Sequence, residues 1–151
     1  NTQMSKRVPF AITLQVRDTC LCLHAQRAAR ALARHFDAAL RPAGLTNQQF
    51  SLLMALNRPE PPPMGPVAGL LAMDRTTLTA ALKPLERRGL VRIEASPADA
   101  RTRILILTDA GRETLAAAVP IWRETHGAVE GRLKGASPDT LRAALAQVSC
   151  G

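Results

Sequence analysis

Between Asp74 and Lys83 the chain reads DRTTLTAALK, which places Arg75, Thr76, Thr77, Thr79 and Lys83 among Leu78, Ala81 and Leu82. Wound as a helix, this order turns Leu78, Ala81, Leu82 and Leu85 to one side and leaves hydroxyls and cations on the other. Such a face can hydrogen-bond phosphate oxygens and base edges in a DNA major groove. Downstream, the polar tract SPADART (96–102) carries Arg101 between two alternating runs, where a guanidinium on a loop tip suits the neighbouring minor groove. A third group is CLCLH (20–24). On a helix Cys20 and His24 share a face and Cys22 points elsewhere, so one copy supplies two ligands at most, short of a metal site. A thiol near a helix start can also oxidise readily, while the plain alternative is that Cys20, Cys22 and His24 are inert helix or interface residues. No cofactor is assigned.

The elements that must hold these groups follow from caps and periodicity. Residues 1–17 alternate Phe10, Ile12, Leu14 and Val16 after Pro9 and are read as an arm. From Asp18 or Thr19, either able to cap, Leu21, Ala25, Ala28, Leu32, Phe36 and Ala39 recur at helical steps, with Arg27, Arg30, Arg34 and Arg41 on a solvated side. Thr46 and Gln49 form a capping box for TNQQFSLLMALN, and RPEPPPMGP (58–66) is a connector in which proline forbids a helix. Pro66 then suits the first position of a short helix, PVAGLLA, which meets the next helix through a turn at Ala72 and Met73. Asp74 caps that next helix, Pro84 is expected to bend it, and Gly89 stops it. Leu90–Ala95 and Arg103–Leu107 read as an antiparallel hairpin around the basic loop. Thr108 caps a long helix with a bend expected at Pro120, and Ser137 with Pro138 opens a last helix bearing Leu141, Ala144, Leu145 and Val148.

The totals agree with a nucleic-acid partner. Of 151 residues, 46% are hydrophobic, enough for one compact core, and 20 Lys and Arg against 12 Asp and Glu leave a formal charge of +8. No run of about 18 apolar residues exists and NTQMSKRVPF lacks the apolar centre of a signal peptide, so a cytoplasmic protein with no membrane association is expected. Cys20, Cys22 and Cys150 are an odd set with no disulfide framework and are expected to be reduced at rest. An enzyme acting through Cys20 or Cys22 with His24 as base lacks a phosphate loop, paired acids or a nucleophile elbow.

Three stretches, LTNQQFSLL (45–53), AMDRTTLTAALKPLERRGLV (72–91) and DARTRILILTDAG (99–111), together resemble the MarR family of bacterial winged helix-turn-helix regulators over about residues 20–148. The resemblance implies a mainly α fold with a small β-hairpin (α+β), in which 18–45 and 109–151 are dimerisation helices and 46–108 is the winged helix-turn-helix. It also implies a homodimer on a pseudo-palindromic double-stranded DNA operator, usually repressing until a small-molecule or oxidant effector changes the spacing of its two readers. By position, Arg75, Thr76, Thr77, Thr79 and Lys83 fall on the recognition face, and Arg101, with Arg103 beside it, serves the minor groove. Asp99 would orient Arg101, through the bidentate pairing a carboxylate can make two residues away. A small-molecule pocket would lie near Arg27, Phe50, Met54 and Trp122, with few aromatics to stack a ligand. Ala72 stands where such regulators commonly have Gly, Pro62, Pro63 and Pro66 interrupt the lead-in to the supporting helix, and the chain has no Tyr of the kind that supports the reactive thiol in the peroxide-sensing branch. A less specific, architectural nucleic-acid-binding protein is the alternative.

Overall fold

Several helix starts in this chain are set by side chains that accept the otherwise orphaned first-turn amides. The computed structural model describes residues 7–149, and among these the order is α1 (Phe10–Thr19), α2 (Leu21–Leu40), a 3-10 turn (Arg41–Ala43), α3 (Asn47–Leu56), α4 (Met64–Leu71), α5 (Arg75–Arg87), β1 (Val91–Ala95), β2 (Arg103–Leu107), α6 (Asp109–Glu130) and α7 (Pro138–Ser149). Thr46 and Gln49 close the capping box of α3, Asp74 accepts from Thr77 N at 2.7 Å, Thr108 accepts from Gly111 N at 3.0 Å, and Ser137 accepts from Thr140 N at 3.0 Å. The mainly α fold with one small hairpin is as expected. Cys150 and residues 1–6 of the expected arm lie outside the described residues.

The chain divides between His35 and Phe36 into two compact units, and α2 runs through the division. In the first unit Phe10–Thr19 is a helix, not an extended arm. An arm needs a neighbouring strand to take its backbone groups, whereas a helix satisfies its own, beginning here with Ile12 N donating to Pro9 O at 3.0 Å. Neither expected cap of the long helix serves it. Asp18 pairs with Arg17, Thr19 Oγ1 donates back to Gln15 O, and α2 starts only at Leu21, after Cys20.

In the second unit the core gathers Leu40, Leu45, Phe50, Leu52, Leu53, Leu56, Val67, Leu78, Leu82, Leu85, Val91, Leu105, Leu107 and Leu115, all buried. The elements from α3 to α6 thus contribute their apolar stripes, and no buried polar side chain interrupts them among the described residues. β1 and β2 pair antiparallel with Val91 opposite Leu107 and Ala95 opposite Arg103. The proline connector adds to this hairpin, since Leu105 N donates to Pro62 O at 2.9 Å and Pro63 bridges Ile104. α4 begins at Met64, two residues before the expected Pro66, and α5 and α6 continue through Pro84 and Pro120. Gly111 lets α6 approach the end of α5. A methyl there would sit 2.2 Å from Leu90 O.

Ala72 ends α4 with φ 52, in the left-handed region where a Cβ is strained, which accounts physically for glycine being common at this turn. Ala72→Gly is expected to raise stability by less than about 1 kcal/mol, strain relief of roughly 1–2 kcal/mol being partly offset by a more flexible unfolded chain. A urea titration checks the sign, and a lower midpoint at unchanged slope would contradict it.

Candidate nucleic-acid interface

The outward face of α5 is set by its buried one. With Leu78, Leu82 and Leu85 in the core, Arg75, Thr76, Thr79, Ala80 and Lys83 line an open concavity of about 330 Å³. Thr77 lies about 100° round the helix from Thr76, outside that lining. Its backbone amide, held by Asp74, keeps the Asp74 carboxyl below the ordinary carboxylate range. Thr79 Oγ1 donates to Arg75 O at 2.8 Å. The Arg75 guanidinium reaches back over α4, where a methyl on Gly65 would meet it at 3.4 Å. Ala80, unremarkable in sequence, is a member of this face that composition could not signal. Its place follows only from the helix phase.

At the wing tip Asp99 organises backbone more than side chain. Its Oδ1 accepts from Arg101 N at 3.0 Å, Thr102 N donates to Asp99 O at 2.9 Å, and Thr102 Oγ1 approaches Asp99 Oδ2 at 3.4 Å. The Arg101 guanidinium comes closest to Asp99 through Nε, at 3.7 Å, and its side chain is 95% exposed. The expected bidentate pair is therefore absent, because the carboxylate is engaged by the amide and the hydroxyl. Arg101 projects into solvent from a tip that Asp99 shapes, and Arg103 begins β2 with its side chain exposed.

The sensing candidates are divided between the two units. Cys20 Sγ accepts from Leu23 N at 3.4 Å, a sulfur cap at the start of α2, and His24 Nδ1 is tied to Cys20 O at 2.8 Å. Cys22 is exposed, with Gln26 Nε2 3.4 Å from its sulfur, and no group of three or more metal-ligating side chains occurs among the described residues. Arg27 lines an open groove on α2 with His24, Ala28, Arg30, Ala31 and Arg34. In the second unit the Phe50 and Trp122 rings stack at 6.2 Å, Trp122 stacks on His126 at 4.8 Å, and His126 Nδ1 is 2.9 Å from Glu130 Oε1. Phe50 is buried, whereas Met54 on the same helix is exposed.

A helix pair, a capped outward-facing helix and a hairpin with an exposed arginine at its tip make a winged helix-turn-helix. The model of the MarR family matches residues 43–102. The chain is 40% identical over 93 residues to the transcriptional regulator HosA of Escherichia coli O111:H-, covering 60% of this chain and 67% of HosA. Its structure is similar to that of the Mycobacterium tuberculosis transcriptional regulator MosR in complex with DNA, with 41% identity, a TM-score of 0.77, and 87% of this chain and 96% of that one covered. The chain belongs to the MarR family. It is a winged helix-turn-helix transcriptional regulator, of a family that binds DNA and is not enzymatic. The transcriptional repressor CouR, bound to a 23-mer DNA duplex, is also similar, with 32% identity, a TM-score of 0.72, and 89% and 93% of the two chains covered. No helix among the described residues of this MarR-family chain is long and apolar enough to cross a membrane.

Because Arg101 is exposed and lightly held, Arg101→Ala is expected to weaken operator binding about tenfold, as for loss of a charged hydrogen bond, while leaving the unfolding midpoint in place. Anisotropy titration beside thermal unfolding reads both, and unchanged affinity would remove the wing from the interface.

Proposed function

We propose that the protein is a homodimeric, sequence-specific repressor acting in the cytoplasm, with α5 in the major groove of each operator half-site and Arg101 in the adjacent minor groove. The observation that carries this function is the pairing of an open face on α5 with an exposed arginine on the neighbouring wing. The +8 charge supplies the nonspecific attraction, and the DNA-bound forms of MosR and CouR support the mode of docking. A second copy is supported by large apolar side chains left in solvent, Phe10, Leu21 and Leu32 in the first unit and Leu141, Leu145 and Val148 on α7. Palindromic half-sites then follow from the two-fold symmetry of the dimer.

Relief of repression enters through the helices flanking the reader, by a small molecule or by thiol oxidation. The stack of Phe50, Trp122 and His126 joins α3 to α6 and supports the first route. Cys20 favours the second, because its sulfur caps α2 and oxidation would change the acceptor it offers. Metal binding through Cys20 and His24, with Cys22 on another face, would need ligands from the second copy.

Selection of bound duplexes from a random pool, with and without peroxide, tests specificity and the thiol route together. A palindromic consensus is expected, and recovery of no preferred sequence would favour an architectural role. If each dimer neutralises roughly eight to ten phosphates, the logarithmic salt slope of binding is about −7 to −9. A flat response would exclude phosphate-driven docking.

A further inference from the structure

The concavity on α5 is not uniformly polar. Arg75, Thr76 and Lys83 bring cations and a hydroxyl to it, but Thr79 and Ala80 lie between them. The Thr79 hydroxyl proton is spent on Arg75 O, at 2.8 Å. With Oγ1 turned to the preceding turn, the other staggered position allowed in a helix carries the methyl group outward. Ala80 is exposed and has a methyl and nothing else. The middle of the proposed reading face is therefore an apolar floor with no free donor, flanked by groups that can hydrogen-bond.

Among the edges of the four bases in the major groove, thymine alone presents an apolar group, its 5-methyl. A floor of two methyl groups gains by covering that group and gains nothing from guanine O6 and N7 or adenine N7, which need donors. We propose that Thr79 and Ala80 form a thymine-methyl contact that fixes one T in each operator half-site, with Thr76 and Lys83 making the polar contacts beside it. This inference rests on α5 being the DNA-reading helix, and it assigns to Thr79 the role of a steric and apolar reader in place of a hydrogen-bonding one.

Deoxyuridine differs from thymidine only by the missing 5-methyl, so it isolates the contact. A half-site obtained by selection is resynthesised with each thymine replaced singly by deoxyuridine, and affinities are measured for the wild type, Thr79→Ser and Thr79→Val. One position per half-site is expected at which deoxyuridine weakens wild-type binding about fourfold, as for loss of one buried methyl. Thr79→Val keeps a methyl there and retains that sensitivity, whereas Thr79→Ser removes the methyl and loses most of it. Placing a cytosine at the same position weakens binding, and 5-methylcytosine recovers part of the loss. The proposal is overturned if no thymine is sensitive, if Thr79→Ser remains as sensitive as wild type, or if Thr79→Val abolishes the preference, which would make the hydroxyl the reader. A selection that yields no consensus overturns the sequence-specific function as well, whereas a consensus with no deoxyuridine effect overturns only the methyl contact.

Discussion

The winged unit closes at one small junction of backbone. Thr108 Oγ1 donates to Gly89 O at 2.6 Å and accepts from Gly111 N at 3.0 Å, while Thr108 N donates to Leu90 O at 3.2 Å. These bonds tie the end of β2 and the start of α6 to the turn that leaves α5. Gly111 makes the approach possible, since its missing side chain is what admits Leu90 O. Without that closeness the hairpin would be joined to α5 only through its own turn and core residues, and the angle between α5 and the wing would be loose. A two-part reader of DNA depends on that angle, because both parts must meet one duplex at once.

From this junction the architecture extends by side-chain links of modest individual strength. Asp37, near the end of α2, accepts from Asn47 N at 2.7 Å and from Asn47 Nδ2 at 2.8 Å, bonds that hold its carboxyl below the ordinary range. The connection between α2 and α3 thus has a polar lock of its own. The three stacked rings link α3 to α6, and Glu130, paired with His126, also approaches Arg142 of α7 at 3.9 Å. Partly exposed pairs of this kind contribute little to global stability.

Much of the fold was legible because it is written locally. Caps at Thr46, Asp74, Thr108 and Ser137 act on amides a few residues away, and the hairpin announces itself by alternation around a polar tract. What escaped reading depends on partners distant in sequence or on competition between donors for one acceptor. Alternation from Phe10 to Val16 fits an arm until one asks what strand it would pair with, and Pro62 looks like pure connector until Leu105 supplies an amide. The Asp99 carboxylate could serve the Arg101 side chain or its backbone, and nothing in the spacing decides between them. For the interface, helix phase identified most of the α5 face. Ala80 was also within reach of that phase, whereas the partner taken by the Thr79 hydroxyl was not.

The pairing of the proline connector with β2 bears on how the molecule survives at high concentration. A two-stranded wing has outer edges whose free amides and carbonyls can recruit a strand from another chain. Along β2, Leu105 N is taken by Pro62 O, and the residue that bridges Ile104 is Pro63, which has no amide to donate. The outer edge of the hairpin is thereby blunted by a segment unable to propagate a ladder. The same prolines that interrupt the approach to α4 cover the β2 edge of the wing, where a strand from another chain would otherwise find a donor.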